Sequence, residues 1–302
     1  MRTLYLSRFI SRVLAASLWL TMAVLAGGCA SRPESPILLR PGGSVASATV
    51  TETRLTALLP ADVLLLGEQH DAGEHQQIGQ QVIAQLSARG LLAALVLEMA
   101  EAGVSTGALH PSSSEEQTRN ALRWREEGWP WSAYGPAVMT AVRAGIPVLG
   151  ANLSRTKIHG SMADSRLDVQ LPGPALKAQQ QLIRIGHCNL LPESQITPMT
   201  RVQIARDISM ANTIAHAALP GKVVLLLAGN GHVDRKLGVP QHLPAALRVK
   251  AVHLSAGGAA DNPEPTAFDS VWPTGALPAR DYCARLRQQL EPRPDPSPPA
   301  KP

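Results

Sequence analysis

Aromatic residues are scarce in this chain, which has five Trp, three Tyr and two Phe among 302 residues. Three cysteines are too few for a small scaffold held together by disulfides. The chain contains no run of Lys or Arg. Three of its 28 basic residues lie in the first 28 positions, and removing them leaves 25 against 23 acidic residues. This balance gives no indication of nucleic-acid binding.

Residues 1–28 have the pattern of a secretory signal peptide. Three arginines precede a mostly apolar stretch at 13–25, and small residues follow at 26–28. Cys29 comes next, an order that resembles a bacterial lipoprotein signal, in which this Cys is acylated and becomes the mature N-terminus. Ala30, rather than Asp, then predicts anchoring at the periplasmic face of the outer membrane. The alternative is an ordinary cleavage site followed by an unrelated Cys.

Composition divides the rest of the chain into three parts. Residues 29–50 are predicted to be a lipidated N-terminus and linker, 51–290 an α/β domain, and 291–302 a disordered, proline-rich tail. Cys188 and Cys283 both lie in the domain. In an oxidising periplasm they would pair, but two unconnected thiols are the alternative because the sequence does not give their distance.

Short apolar runs alternate with helical patterns along the domain, which predicts parallel βαβ units. The fold class is therefore α/β, with a mostly parallel central sheet and flanking helices. Residues 151–220 carry little strand pattern and are predicted to form a helical insertion over the strand ends. The five predicted strands are residues 62–66, 93–99, 145–150, 222–228 and 249–254.

Acidic and imidazole side chains follow three of these strands. They are Glu68 and His70 in LLLGEQHD, Glu98 at the end of the second strand, and His232 in LLLAGNGHVD. Ligands of open α/β sheets bind outside the carboxyl ends of the strands. Two carboxylates and two imidazoles there suit general acid–base chemistry or a divalent metal. The alternative for Glu68, and for Asp71 three residues later, is that they cap the following helix.

Most aromatic residues of the domain occur in one segment, WREEGWPWSAY, which holds Trp124, Trp129, Trp131 and Tyr134. Such a cluster forms either a satellite core or the surface that a flat apolar ligand or a partner needs. Arg206, on the predicted insertion, would offset the strand-end carboxylates or hold a ligand carboxylate. A solvated surface charge is the alternative for Arg206.

Six segments in order resemble the ChaN-like family of iron-regulated haem-binding lipoproteins. The resemblance covers roughly residues 61–254. The segments are LLGEQHDAGEHQ, LVLEM, W-x-x-Y-G-P leading to GIPVLGANLSR, HCNLLP, MTRVQIARDISMA and AGNGHVDRKLGVP.

This resemblance implies a haem-binding protein of iron acquisition that works as a homodimer. In the family, haems stack face to face between protomers, a tyrosine ligates each iron, and basic groups of the other protomer meet the propionates. Tyr134 is the position that carries over as the iron ligand. The other residues predicted to contact haem are Trp129, Trp131, Lys157, His159 and Arg206.

A looser resemblance connects the same chain to erythromycin-esterase and TraB/Tiki-type hydrolases. In those proteins, strand-end acids and histidines act as bases or metal ligands. Glu68, His70, Glu98 and His232 match that pattern loosely, so a metal-dependent or general-base hydrolase acting on esters or peptides is the alternative function. A periplasmic scaffold with a buried charge network is a third interpretation, although buried charges without a role are costly.

Overall fold

The computed structural model of the chain describes residues 45–257 and 266–290. The predicted signal peptide, Cys29 and the predicted tail at 291–302 lie outside these residues. Within the two described ranges, no helix is both long and apolar enough to cross a membrane.

Six parallel strands form one sheet in the order β3-β2-β4-β1-β5-β6. This confirms the α/β class and the mostly parallel sheet. The leucine-rich strands β1 and β4 lie at its centre and are buried on both faces, as continuous apolar runs indicate. The strands are β1 Val63–Glu68, β2 Leu92–Glu101, β3 Val148–Asn152, β4 Val223–Gly229, β5 Val249–Ala256 and β6 Ser270–Thr274.

The sixth strand was not predicted from the sequence. It lies at the edge of the sheet, and its residues are partly exposed except for the buried Trp272. Pro273 is tolerated there because an edge strand has one side without ladder hydrogen bonds. A short, half-exposed strand that contains proline carries no apolar run for sequence patterns to detect.

Helices cover both faces of the sheet. They are α1 Val45–Thr56, α2 Gly73–Ala88, α3 Glu115–Ala121, α4 Trp131–Arg143, α5 Arg155–Ala163, α6 Gly173–Gly186, α7 Glu193–Ala217, α8 Asn230–Val233 and α9 Tyr282–Leu290, with 3₁₀ helices at Ser165–Val169 and Val239–His242.

Alternate residues of β1 serve the two faces. Leu64 and Leu66 belong to the core that includes α2 and α4, whereas Leu65 belongs to the core that includes Met210 and Ile214 of α7. The period of two along a strand produces this division. The sheet is therefore a rigid middle layer whose carboxyl edge lies between two helical layers.

Helix α1 begins at Val45, within the region predicted as linker (29–50). Leu55 is fully buried in the core, and the Thr51 hydroxyl donates to Gln81 Oε1 of α2 at 2.7 Å. Composition missed the start of the helix because tertiary contacts, which also include a hydrogen bond from Gln85 to the Ala48 carbonyl and an ion pair between Arg89 and Glu52, hold it in place.

Between β3 and β4 the chain is helical, which confirms the predicted insertion over the strand ends. Its longest helix, α7, packs on β3, β2 and β4. A disulfide joins Cys188, directly after α6 and its cap, to Cys283 of α9. The bond ties the insertion to the C-terminal helix, so the paired alternative is the one that the structure contains.

Candidate functional site

The carboxyl ends of β2, β4 and β1 bring the four predicted strand-end residues together. Glu68 ends β1, Glu98 lies near the end of β2, and His232 lies on α8 directly after β4. These three strands are neighbours in the sheet and parallel, so side chains at their ends meet at one edge. His70 joins them from the loop between β1 and α2.

His70 lies between the two carboxylates. Its Nδ1 is 2.9 Å from Glu68 Oε1, and its Nε2 is 3.7 Å from Glu98 Oε2. The Tyr134 hydroxyl donates to the same Glu68 oxygen at 2.6 Å. The His70 side chain is 38% exposed, whereas both acids are buried. His70 is therefore the member of this group that a ligand can reach.

His232 forms a second, fully enclosed group. Its Nε2 is 3.4 Å from Glu98 Oε1, and its Nδ1 is 2.5 Å from Asp207 Oδ1 of α7. The amide of Gly229 donates to Glu98 Oε2 at 2.8 Å. Gln203, one turn before Asp207 on α7, contacts His232 Nδ1 at 3.1 Å. A continuous line of contacts thus runs from Tyr134 through the strand ends to the inserted helix.

The pKa values of His232, Glu98 and Asp207 follow from their burial and from the placement of the imidazole between two carboxylates. Burial alone would lower the pKa of His232, but the charges of Glu98 and Asp207 raise it to about 10. Burial opposes ionisation of Glu98, yet the two histidines hold its pKa well below the usual range. Burial raises the pKa of Asp207 to about 6 against the pull of His232. At neutral pH, His232 is an imidazolium between two carboxylates.

The pKa values of His70 and Tyr134 are shifted for related reasons. Burial lowers the pKa of His70, but its hydrogen bond to Glu68 and the charge of Glu98 outweigh that effect and raise it. Burial raises the pKa of the Tyr134 hydroxyl, and the Glu68 carboxylate raises it further. The Tyr134 hydroxyl is thus held in its protonated form.

Asp207 and Gln203 are site residues that the sequence did not predict as such. Helical spacing placed them on one face of the inserted helix, but only Arg206 beside them received a role. Asp207 is 1% exposed. Burial of an acidic side chain would have identified Asp207 as a site residue. The sequence does not reveal this burial, because on a helix of mixed polarity packing decides which side chains are buried.

A cavity of about 580 Å³ opens over His70. His70 and Glu98 border it from the strand ends, and Trp129 packs its ring edge-on against the imidazole with 4.8 Å between centroids. Arg206 borders the cavity from α7. Its volume lies within the roughly 300–1,000 Å³ of small-molecule sites.

Residues 55–243 match the family model described as haem-binding uptake, Tiki superfamily, ChaN. The chain belongs to this family. A solved structure of cofacial haem binding to ChaN of Campylobacter jejuni is 28% identical, with a TM-score of 0.60 over 73% of this chain and 90% of that one.

Two other solved structures show a more remote likeness to the chain. The type III effector HopBA1 is 16% identical, with a TM-score of 0.46 over 75% of this chain and 94% of that one. A mutant of erythromycin esterase EreC in its open conformation is 14% identical, with a TM-score of 0.42 over 72% and 77%. No curated protein matches the chain.

The aromatic residues that the ChaN resemblance assigned to haem have different surroundings. Tyr134 is 1% exposed and lies in the main core. Trp131 is also buried, and its Nε1 donates to Glu115 at 2.9 Å. Trp129 is only partly buried and borders the cavity. Trp131 and Tyr134 are thus part of the main core rather than of a satellite core, and only Trp129 offers its ring to the cavity.

Lys157 and His159, the residues predicted to meet propionates, lie elsewhere. Both are exposed on α5, and neither lines the cavity over His70. Lys157 borders a separate, open cavity of about 800 Å³ between α5, α7 and β3. Of the basic residues predicted to contact haem, only Arg206 lines the same cavity as His70.

Capping of α2 does not account for the acids. The N-cap of α2 is Ala72, with no side-chain cap, so Glu68 and Asp71 do not cap it. Asp71 instead accepts hydrogen bonds from Arg280 and Tyr282. Among residues 45–257 and 266–290, no three His, Cys, Asp or Glu side chains are placed to hold a metal ion.

The enclosed imidazolium predicts how stability depends on pH. The pKa of His232 is about 10 in the fold and about 6.5 when unfolded. The stability it contributes is therefore complete below pH 6.5 and is lost as pH rises towards 10. We expect the free energy of unfolding to decrease between pH 7 and pH 10 in the wild type. This decrease should exceed that of His232→Gln by at least about 1 kcal/mol.

Urea unfolding followed by circular dichroism at each pH measures this difference. His159→Gln, which changes an exposed histidine, is the control and should keep the wild-type slope. Equal slopes for wild type and His232→Gln would contradict a protonated His232 in the fold.

Proposed function

We propose that this chain binds haem and takes part in haem uptake. The observation that carries the proposal is the family match over residues 55–243, together with the likeness to ChaN of Campylobacter jejuni, a protein that binds haem cofacially. The cavity over His70 supports it, because an aromatic side chain and basic residues border the same cavity. A flat macrocycle with acidic side chains needs such a combination of contacts.

The iron contact fits His70 better than Tyr134. The Tyr134 hydroxyl is buried and donates to Glu68, so it would have to turn away from that carboxylate and lose its proton in order to ligate iron. His70 borders the cavity as it stands, and imidazole is a common haem ligand. Bound haem would supply the redox-active iron, while the protein would supply His70, Trp129 and Arg206.

Titrating the apo-protein with haemin tests this function. We expect a saturable change in the Soret band that Tyr134→Phe retains within about twofold, because the Tyr134 hydroxyl contacts Glu68 and His70 from within the core and does not itself border the cavity. His70→Ala should shift the Soret maximum and weaken binding at least about tenfold, the effect of one lost ligand or charge-assisted contact.

Two outcomes contradict parts of this proposal. A flat wild-type titration would rule out haem binding. Loss of the spectral signature in Tyr134→Phe alone would return the iron ligand to the tyrosine. Sedimentation velocity on the same samples follows the homodimer implied by the ChaN resemblance, which should appear or strengthen with haemin.

We also propose that the protein is lipid-anchored at Cys29, at the periplasmic face of the outer membrane. The residue pattern before Cys29 and Ala30 after it support this anchoring. Mass spectrometry of the native protein should show an acylated N-terminal Cys, and Cys29→Ala should be released into the soluble periplasmic fraction. An unacylated native N-terminus would contradict the anchor.

A second candidate function is general acid–base catalysis, favoured by the geometry around His70. Its imidazole is exposed to the cavity, and Glu68 orients it through Nδ1, which is the arrangement of a base and its orienting partner. Glu98 lies at the other ring nitrogen and is itself held by His232. Hydrolysis of an ester or peptide by water, with His70 accepting the proton, is the reaction that this geometry suits.

Ester and peptide hydrolysis, assayed with and without divalent metals, tests the second candidate. His70→Ala should abolish any such activity, and Glu98→Gln should reduce it about 10²-fold or more, the usual contribution of a positioned acid–base group. If the wild type hydrolyses nothing while binding haemin, the catalytic candidate fails and the cluster is structural.

A further inference from the structure

Residues 274–283, which lead from β6 into α9, contact the loop that carries His70. We call these residues the C-terminal strap and residues 69–75 the His70 loop. The first end of the strap is fixed in the domain. There the Gly275 amide donates to Glu74 Oε2 at 2.8 Å, and Thr274 pairs with Ala256 in the sheet. The sheet itself therefore holds this end.

The far end of the strap is held differently. No described residue of α9 belongs to the hydrophobic cores. Arg280 and Tyr282 both donate to Asp71 Oδ2, at 3.2 and 2.5 Å, and all three side chains are at least partly exposed. Exposed contacts of this kind contribute little by themselves, since water competes for both partners. Cys283 is the next residue, and a disulfide joins it to Cys188.

The disulfide connects the strap to the other side of the site. Cys188 follows α6, and Arg184 of α6 pairs with Glu193, the first residue of α7. Helix α7 carries Asp207, which contacts His232. The bond therefore links the His70 loop, through the strap, to the helical insertion that covers the strand ends.

We propose that the disulfide is a redox switch that keeps the strap against the His70 loop. Its reduction frees Arg280 and Tyr282 from Asp71 and loosens the loop. The switch regulates the cavity over His70, and it rests on the proposed function for the identity of the ligand that is held or released. Both cysteines are half-buried, so a reductant can approach them from the surface.

A protein dithiol of the thioredoxin-like class is the reductant that this bond requires. One thiolate of the dithiol attacks a sulfur of the pair, the S–S bond breaks, and a mixed disulfide forms. The second thiolate then displaces the remaining cysteine, and the donor leaves as a disulfide. Two electrons and two protons pass from the dithiol to Cys188 and Cys283, which become thiols.

Hydrogen bonds within the His70 loop connect Asp71 to the site. The Gln69 amide donates to His75 Nδ1 at 2.9 Å, and the Ala72 amide donates to the Gln69 carbonyl at 2.9 Å. These two amides lie on either side of His70 and Asp71. Because such amides exchange their hydrogen with water only when their bonds open, they report how firmly the loop is held.

Amide hydrogen exchange of the full chain, resolved by NMR, measures the loosening. In dithiothreitol, the Gln69 and Ala72 amides of the wild type should exchange at least about threefold faster than in the oxidised protein, the effect of losing an exposed charge-assisted hydrogen bond. Iodoacetamide should then alkylate Cys188 and Cys283. The Leu226 amide of β4 should keep its rate, because the sheet stays folded.

Paired substitutions locate the coupling. Cys188→Ser with Cys283→Ser should show the fast rates without dithiothreitol and gain nothing from it. Arg280→Gln with Tyr282→Phe keeps the disulfide but should exchange like the reduced wild type at the same two amides. Arg287→Gln, which changes an exposed arginine one turn beyond Cys283 on α9, is the control and should match the oxidised wild type.

Haemin titration of the serine pair connects the switch to the ligand without exposing the iron to a reductant. A loosened loop holds His70 in its binding position for a smaller fraction of the time. We therefore expect the serine pair to bind haemin about threefold or more weakly than the oxidised wild type. Arg287→Gln should again match the wild type.

The outcomes distinguish the switch from the proposed function. If reduction leaves the Gln69 and Ala72 rates unchanged, or also speeds exchange at Leu226, the bond only stabilises the fold and the switch is wrong. Wild-type rates in Arg280→Gln with Tyr282→Phe would contradict the path through Asp71. A loosened loop with unchanged haemin affinity would contradict redox control of the ligand. If the wild type binds no haemin, the proposed function is wrong, and the exchange rates still decide whether the loop is redox-controlled.

Discussion

The buried His232 imidazolium, between Glu98 and Asp207, is the interaction on which the geometry of the site depends. It joins β2, the turn after β4 and the inserted helix α7 at one point. Burying three charged groups costs several kcal/mol per ion unless each is paired, and the alternation of charge offsets that cost. Removing one partner would leave an uncompensated charge, which typically destabilises a protein by about 3–5 kcal/mol. The pairing therefore holds the helical insertion over the strand ends.

Close backbone approach at two glycines makes room for that arrangement. A Cβ on Gly229 would lie 2.9 Å from His70 Nε2, and one on Gly67 would lie 2.4 Å from Val233 Cγ2. Both distances are too short for a side chain to fit without displacement. The glycine that ends each leucine-rich run is thus required by the tertiary packing of the strand ends, in addition to breaking the apolar pattern.

The site has a buried half and an open half that meet at His70. On the buried side, every carboxylate faces an imidazole or a hydroxyl, and charge is nearly balanced. On the open side, the cavity is bordered by four arginines together with Glu98 and Glu101; the arginines are Arg123, Arg125, Arg155 and Arg206. His70 and Glu98 belong to the buried half and also border the cavity, and both proposed functions use His70.

Local pattern alone determined the α/β class, five of the six strands, the helical insertion and the convergence of Glu68, His70, Glu98 and His232. Apolar periodicity encodes strands and helices, and parallel strands bring their carboxyl ends to one edge. Only the tertiary structure decided that Asp207 completes the His232 group, that Tyr134 faces Glu68 in the core, and that Lys157 and His159 lie away from the cavity. Those outcomes depend on which face of a helix packs against the sheet, and packing between segments far apart in the chain sets that face.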